Sequence, residues 1–328
     1  MPEQLSPSLN TILKRTSRAF YLSLRVLPPK PRKALSLAYL IARAADTVAD
    51  CPDQSAEKKA QTLYEFRKSL STNSQKVLKL VADIHPEHLG EQELLKNLPE
   101  LFRELQGASD RIAIIEVLET LVEGMLWDQK LFSDGTELQG LEPQQLERYT
   151  FLVAGCVGPF WSSICSKSQE TLIHLNTKFN IETALEFGKA LQWVNILRDV
   201  PEDQKEKRFY LPELSSPEFP LRFRLHSQRA LQAFQTAILY PNLYPVLYFR
   251  YRLSVFLPLI LGLRTLENTF SFGQPRPGHR VKVKRHEVVF WLFVGSLALT
   301  SKSMTSLLLN TLLKRASFAL QNSEFYHE

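Results

Sequence analysis

Glycine is scarce in this chain, with 12 residues in 328, and no stretch alternates apolar and polar side chains with a period of two. Half-buried strands need that alternation, so a sheet is excluded as the organising element. Cysteine is scarcer still. Cys51, Cys156 and Cys165 lack metal-ligand spacing and cannot all pair with one another, which reads as reduced thiols in a cytoplasmic protein. Long hydrophobic runs are missing too: the uncharged apolar stretches 253–263 and 288–300 fall short of the roughly 20 residues that a membrane span needs. The polar start has no charged segment leading into an apolar one, so neither a signal peptide nor an integral membrane protein is expected. Internal repeats and low-complexity tracts are lacking, as is a strand-linked Gly-x-Gly-x-x-Gly fingerprint. No stripe of interleaved basic and aromatic residues exists, which argues against nucleic acid as a partner.

What remains is rich in Leu, Ala, Glu and Lys, and 44% hydrophobic content in a chain of this length suffices for a sizeable core. The expectation is an all-α protein forming a single domain over 1–328, with its active cavity between central helices. Helices are predicted at about 30–50, 55–70, 90–106, 109–132, 143–166, 168–199, 226–240, 244–267, 283–300 and 302–321, broken by Gly, Pro, Asn and Ser clusters such as Pro52-Asp53 and Pro241-Asn242. Residues 272–279, with two glycines and two prolines, read as an irregular loop. A formal charge of +6, taken as an even mixture of both signs, gives a mild bias toward anionic partners.

Two acidic pairs stand out. Arg43-Ala-Ala-Asp46-Thr-Val-Ala-Asp50 and Arg198-Asp199-Val-Pro-Glu202-Asp203 each set carboxylates four apart behind an arginine. On a helix, positions i and i+4 share a face, so Asp46 and Asp50 present four oxygens to one spot. Magnesium takes oxygen ligands and is typically held by one or two carboxylates together with substrate phosphates. A solvated acidic face is the plain rival for either pair taken alone. Upstream, however, each face continues as a polar stripe, Tyr39 and Arg43 for the first, Gln192 and Asn195 for the second, within apolar surroundings. Buried polar groups there need partners, since an unpaired one costs roughly 1–3 kcal/mol. Pro201 lacks an N–H and clashes with the preceding turn, so the second helix is expected to end or kink inside its own motif.

Five segments in order make the chain recognisable. They are Ser17-Arg18-Ala19-Phe20-Tyr21 with Leu27-Pro28; Tyr39-Leu-Ile-Ala-Arg43-Ala-Ala-Asp46-Thr47; Gly124-Met125 with Asp128; Tyr149 with Val153-Ala154-Gly155-Cys156-Val157-Gly158; and Gln192-Trp-Val-Asn195-Ile-Leu-Arg198-Asp199 through Glu202-Asp203, then Arg208-Phe-Tyr210-Leu211-Pro212. Together they resemble the squalene/phytoene synthase family of head-to-head prenyl transferases, closest to its squalene branch. That resemblance implies an all-α, single-domain isoprenoid synthase fold, and Mg2+ held by Asp46, Asp50, Asp199, Glu202 and Asp203. It implies farnesyl diphosphate as substrate, contacted by Ser17, Arg18, Phe20, Gln192, Asn195, Arg198, Arg208 and Tyr210. The catalytic set it implies is Tyr39, Arg43, Asp46, Asp50, Tyr149, Asp199 and Asp203. For Arg43 and Arg198 a structural ion pair to the neighbouring aspartate is an equal reading, and both roles are compatible.

Where the chain departs from that pattern, the reaction is open. Ala49 stands where squalene synthases carry a glutamate, and Leu152 where they carry a tyrosine tied to the cyclopropyl intermediate. The segment Arg280-Val-Lys282-Val-Lys284-Arg285 resembles a basic stretch of the squalene branch, which makes Lys282, Lys284 and Arg285 candidates for a phosphate of NADPH, with a solvated basic loop as the favoured alternative. The implied product is squalene, with presqualene diphosphate, hydroxysqualene, dehydrosqualene or phytoene as alternatives. A catalytically silent isoprenoid-binding scaffold is the rival from another class. A monomer in the cytoplasm is expected, docking peripherally on the inner membrane face, with Trp291, Phe293 and Lys302 as candidate contacts and core packing as the favoured role of the two aromatics.

Overall fold

In the computed structural model, which describes residues 4–17, 20–72, 76–132, 139–273, 275, 278 and 281–323, every regular element is helical and no strand occurs among these residues. The chain forms α1 (Pro7–Thr16), α2 (Phe20–Val26), α3 (Pro29–Asp50), α4 (Ala56–Thr72), α5 (Lys76–Val81), α6 (Leu89–Lys96), α7 (Leu98–Gln106) and α8 (Arg111–Phe132). Then come α9 (Pro143–Thr150), a π-helical turn (Phe151–Gly155), α10 (Val157–Ser168), a 3-10 stretch (Glu170–Asn176) and α11 (Lys178–Arg198). The remainder is α12 (Val200–Lys205), α13 (Phe219–Ala237), α14 (Tyr240–Leu243), α15 (Phe249–Ser271), α16 (Arg285–Ala298) and α17 (Lys302–Gln321). Two compact units result, Met1–Asp134 with Phe160–Ile173, and Gly135–Pro159 with His174–Glu328.

In the first unit α3 supplies the spine. Leu37, Leu40, Ile41, Ala44, Ala45 and Val48 are completely buried, recurring three and four apart so that the helix packs on α4, α7 and α8. Phe66 of α4 and Phe102 of α7 meet edge to face with centroids 5.7 Å apart. Packing of this kind leaves the fourth side of α3, that of Tyr39, Arg43, Asp46 and Asp50, outside the core. Ala49, by contrast, is buried, and its carbonyl accepts a hydrogen bond from Gln129 of α8 at 3.1 Å. The position therefore points into the packing, where a glutamate would have to bury a charge.

The second unit is built around α11. A Cβ on Gly158 would lie 1.7 Å from the carbonyl oxygen of Ala184, and one on Gly188 would lie 2.3 Å from that of Ala154. The two glycines thus let the π turn and the start of α10 run backbone to backbone along α11. α13 and α15 pack on α11, and α17 closes over both. Phe234, Phe256, Phe270, Leu263 and Leu312 fill the interior.

Several predicted boundaries move, for physical reasons. The helix expected at 90–106 is two, because Pro99 follows Leu98 in the first turn of α7 after a break at Asn97. Pro220 likewise opens α13 in its first turn, so that helix starts at Phe219 instead of 226. The helix expected at 143–166 contains the π turn, where the ladder widens by one residue. Short helices α1, α2, α5, α12 and α14 went unpredicted. The stretch 272–279, expected to be irregular, lies partly outside the described residues, and 133–135, where a turn is also expected from Ser133-Asp-Gly135, lies wholly outside them. No described helix is long and apolar enough to cross a membrane.

Candidate active site

On α3 the acidic face carries its own counter-charge. Arg43 donates through Nη1 to Asp46 Oδ2, one turn on, and through Nη2 to Glu91 Oε1 of α6 at 2.5 Å. Burial works against a charge on this guanidinium, but the two carboxylates more than offset it and hold the group firmly protonated. Its Nε is buried with no hydrogen-bond partner, so the fork is not fully used. Asp46 is partly open and Asp50, at the end of the helix, is exposed. Tyr39 lies one turn before Arg43 and donates its hydroxyl to the Thr16 carbonyl at 3.1 Å. Its ring meets Phe20 at 5.4 Å, and Phe20 in turn meets Trp161 at 6.0 Å. Ser17 is buried and donates back to the Leu13 carbonyl, so its visible work is to close α1. Arg18 lies outside the described residues.

In the second unit the polar stripe is a continuous relay along α11. Asn195 Nδ2 donates to Gln192 Oε1 at 3.2 Å, Arg198 Nη2 donates to Asn195 Oδ1 at 3.1 Å, and Arg198 Nε donates to Asp199 Oδ1 at 2.7 Å. A second bond from Arg198 Nη2 to Asp199 Oδ2 makes the pair bidentate. The helix stops at Arg198, as Pro201 requires. Asp199 takes φ −98° and ψ 12°, serving at once as C-cap of α11 and N-cap of α12. Glu202 and Asp203 then sit in the first turn of α12, where the helix dipole favours carboxylates.

Beyond α12 the chain folds back under tight control. Lys207 is in the left-handed region at φ 62°, which returns the backbone so that Arg208 N–H donates to the Asp203 carbonyl at 2.8 Å. Arg208 makes a long ion pair with Glu206 at 3.8 Å. Tyr210 stacks on Tyr149 with centroids 4.7 Å apart, and their hydroxyls are 2.8 Å from each other. Leu152, one turn further on, is buried in the π turn. Lys282, Lys284 and Arg285 are exposed at the entry to α16.

Sequence reasoning missed three participants. Glu91 lies 48 positions from its partner Arg43. Gln204 braces the return loop, donating to the Pro212 carbonyl at 2.7 Å and accepting from Leu214 N–H at 3.0 Å. Glu147 of α9 joins Lys189 at 2.6 Å and also Arg229 of α13, and Arg229 reaches Glu186 at 3.2 Å. Burial pushes the Glu147 carboxyl upward, yet Arg229 and Lys189 outweigh that and hold it below its ordinary value. None of these had a local signal beyond being polar.

The donor set fits a hard cation. All five expected metal ligands are carboxylates, and Glu202 Oε2 is buried with no hydrogen-bond partner in the protein. Among the described residues no three carboxylate, histidine or cysteine side chains are gathered as a complete ligand set. Magnesium does not need one, since substrate oxygens and water fill its remaining positions.

Comparison with known proteins accords with this chemistry. Residues 13–216 match the family described as squalene/phytoene synthase. Squalene synthase of Bos taurus is 28% identical over 220 residues, covering 64% of this chain and 48% of that protein. Presqualene diphosphate synthase of Zymomonas mobilis is 29% identical over 210 residues, covering 64% of this chain and 61% of that protein. The chain thus spans about half to three fifths of the length of these curated relatives. A solved structure of TcSQS with a bound ligand aligns with a TM-score of 0.70 at 19% identity, over 95% of this chain and 97% of that one. A dehydrosqualene synthase structure aligns at 0.55 and 16% identity, over 95% of each chain. At such identities the likeness establishes a shared all-α fold. With the matched profile running through both acidic motifs, the chain belongs to the squalene/phytoene synthase family.

Proposed function

We propose that this protein is a magnesium-dependent prenyltransferase that joins two molecules of farnesyl diphosphate head to head, through presqualene diphosphate to squalene, with NADPH as hydride donor. The observation that carries this reading is the repeated local arrangement of an arginine locked to the first carboxylate of an acidic motif, Arg43 on Asp46 and Arg198 on Asp199. Magnesium, when bound, supplies Lewis acidity to the diphosphate leaving group. Asp46 and Asp50 would hold it at the first motif, and Asp199, Glu202 and Asp203 at the second. Arg43 and Arg198 are positioned beside those carboxylates to share phosphate oxygens, for which a guanidinium fork is suited. Departure of diphosphate leaves an allylic cation, which must be kept from water. Electron-rich ring faces steady positive charge, and each unit has its own: Phe20, Tyr39 and Trp161 in the first, stacked Tyr149 and Tyr210 in the second.

A second reading stops short of reduction, at presqualene diphosphate or another C30 product. The similarity to a presqualene diphosphate synthase supports it, whereas Leu152, which lacks a phenol, bears on cyclopropane formation in both readings. The test is mass analysis of lipids after incubating purified protein with Mg2+ and farnesyl diphosphate, with and without NADPH. Squalene formed only with NADPH supports the reductive reading. Presqualene diphosphate, or an oxygenated or more unsaturated C30 product regardless of NADPH, replaces it with the second. No consumption of substrate would sink both.

A further inference from the structure

The mixture of signs expected from the sequence is interrupted between Glu267 and Glu324. Between 268 and 323 the chain has eight lysines and arginines, Arg276, Arg280, Lys282, Lys284, Arg285, Lys302, Lys314 and Arg315, against the single acid Glu287. That local excess exceeds the +6 of the whole chain. The lone acid is itself engaged, pairing with Arg264 at 3.2 Å. Four exposed groups able to carry positive charge, Lys282, Lys284, Arg285 and His286, cluster at the entry to α16.

The helix that follows is apolar on both sides. Trp291, Gly295 and Ala298 are its buried residues, and Phe256 of α15 stands where a Cβ on Gly295 would go, at 2.6 Å. Val289, Phe290, Phe293 and Leu297 are 66%, 54%, 66% and 53% exposed. At about 100° per residue these four fall within an arc of about 100°, diametrically opposite the buried three. Trp291 takes the core-packing role favoured for it, lying under Arg264 with the guanidinium 6.0 Å from its ring, whereas Phe293 is exposed. A helix with a fully apolar outer stripe normally has something covering it. Charge complementarity identifies the cover, since the residues at the N-terminal end of the stripe are cationic and the only acid on the helix is already paired.

We infer that the outer face of α16 docks on an anionic lipid surface. Phe290, Phe293, Val289 and Leu297 enter the boundary between headgroups and acyl chains, while Lys282, Lys284 and Arg285 meet lipid phosphates. No helix needs to cross the bilayer for this, because a shallow apolar stripe plus a basic cluster provides the two signals that stable peripheral binding takes. The inference concerns a surface and a lipid, and stands independently of which prenyl product is made.

Sedimentation with phosphatidylcholine vesicles, with and without phosphatidylglycerol, tests it in the absence of substrate. The full chain should partition onto the anionic vesicles and be released by added salt, as lipid phosphate contacts are screened. The double variant Phe290→Ser, Phe293→Ser should bind them at least about tenfold more weakly, with an unchanged melting temperature. Lys282→Glu with Lys284→Glu should weaken binding to anionic vesicles and leave any residual affinity for neutral ones intact. Equal binding to both vesicle types, no binding to either, or a dimer that the serine variant converts to monomer would each overturn the assignment.

Discussion

Replacing Gly188 by alanine puts the packing of the second unit to a quantitative test. The added Cβ would stand 2.3 Å from the Ala154 carbonyl oxygen and 2.9 Å from the Gly155 Cα. Carbon and oxygen rest at roughly 3.3 Å or more, so the π turn would have to retreat by about 1 Å. Both obstructing atoms are backbone, which cannot rotate away. Overpacking of this kind costs about 1–3 kcal/mol, and a rigid obstacle places it near the top of that range. Alanine recovers about 1 kcal/mol through its better helix propensity, leaving a net loss of about 2 kcal/mol. Unfolding entropy for 328 residues is about 0.7 kcal/mol per degree, so Tm should fall by about 3 °C. Gly295→Ala is the comparison, because the obstacle there is the ring of Phe256 at 2.6 Å, a side chain able to turn. Differential scanning calorimetry of both variants decides the matter. If Gly188→Ala melts at or above the parent temperature, the close approach of the π turn to α11 does not exist.

Other perturbations probe charge and chemistry. His226 is buried against Trp193 at 5.5 Å, and burial first, then Arg222, lowers its pKa from an ordinary 6.5 to about 4. The unfolded chain therefore takes up a proton below pH 6.5 that the folded one refuses until about 4, and stability should decline across that window by up to about 1.4 kcal/mol per pH unit. His226→Leu should flatten this part of a Tm-versus-pH profile; an unaltered slope would show that His226 is not its source. Asp199→Asn removes the charge and one of the two oxygens that accept from Arg198 and should reduce product formation at least about a hundredfold with the fold intact by circular dichroism, and Asp46→Asn should behave alike; retained turnover in either would dismiss that motif. Burial drives the Cys156 thiol up to about 12, so iodoacetamide at mild alkaline pH should label it only after denaturation, as mass spectrometry of the native protein would reveal.

Local chemistry made parts of this architecture readable in advance. The stripe through Tyr39, Arg43, Asp46 and Asp50 needs only helical spacing, and α3 delivers it. Pro201 announced the interruption at Asp199, since a missing N–H acts on its own turn. Pro99 stands in the same relation to the break at Asn97, inside a stretch whose periodicity reads as one helix, and Pro220 opens α13 in its first turn, ahead of the start that periodicity suggests. The π turn was invisible because it arises from the demand that Gly155 and Gly158 lie against α11, a tertiary requirement. Glu91 and the group of Glu147, Glu186, Lys189 and Arg229 escaped for the same reason, being partners brought together by packing from distant positions. Charge asymmetry was present in the sequence throughout, but averaging over the whole chain concealed it.

The break at Asp199 gives the two acidic motifs unlike mechanical character. Asp46 and Asp50 are riveted to each other by an uninterrupted ladder of backbone hydrogen bonds in a 22-residue helix. Asp199 and Asp203 straddle a joint, and the offset between them is governed by the torsion of one residue and by the return through Lys207 and Gln204. Anyone wishing to retune this protein's grip on a differently sized anion therefore has an adjustable fitting at the second motif. The first offers only a fixed one.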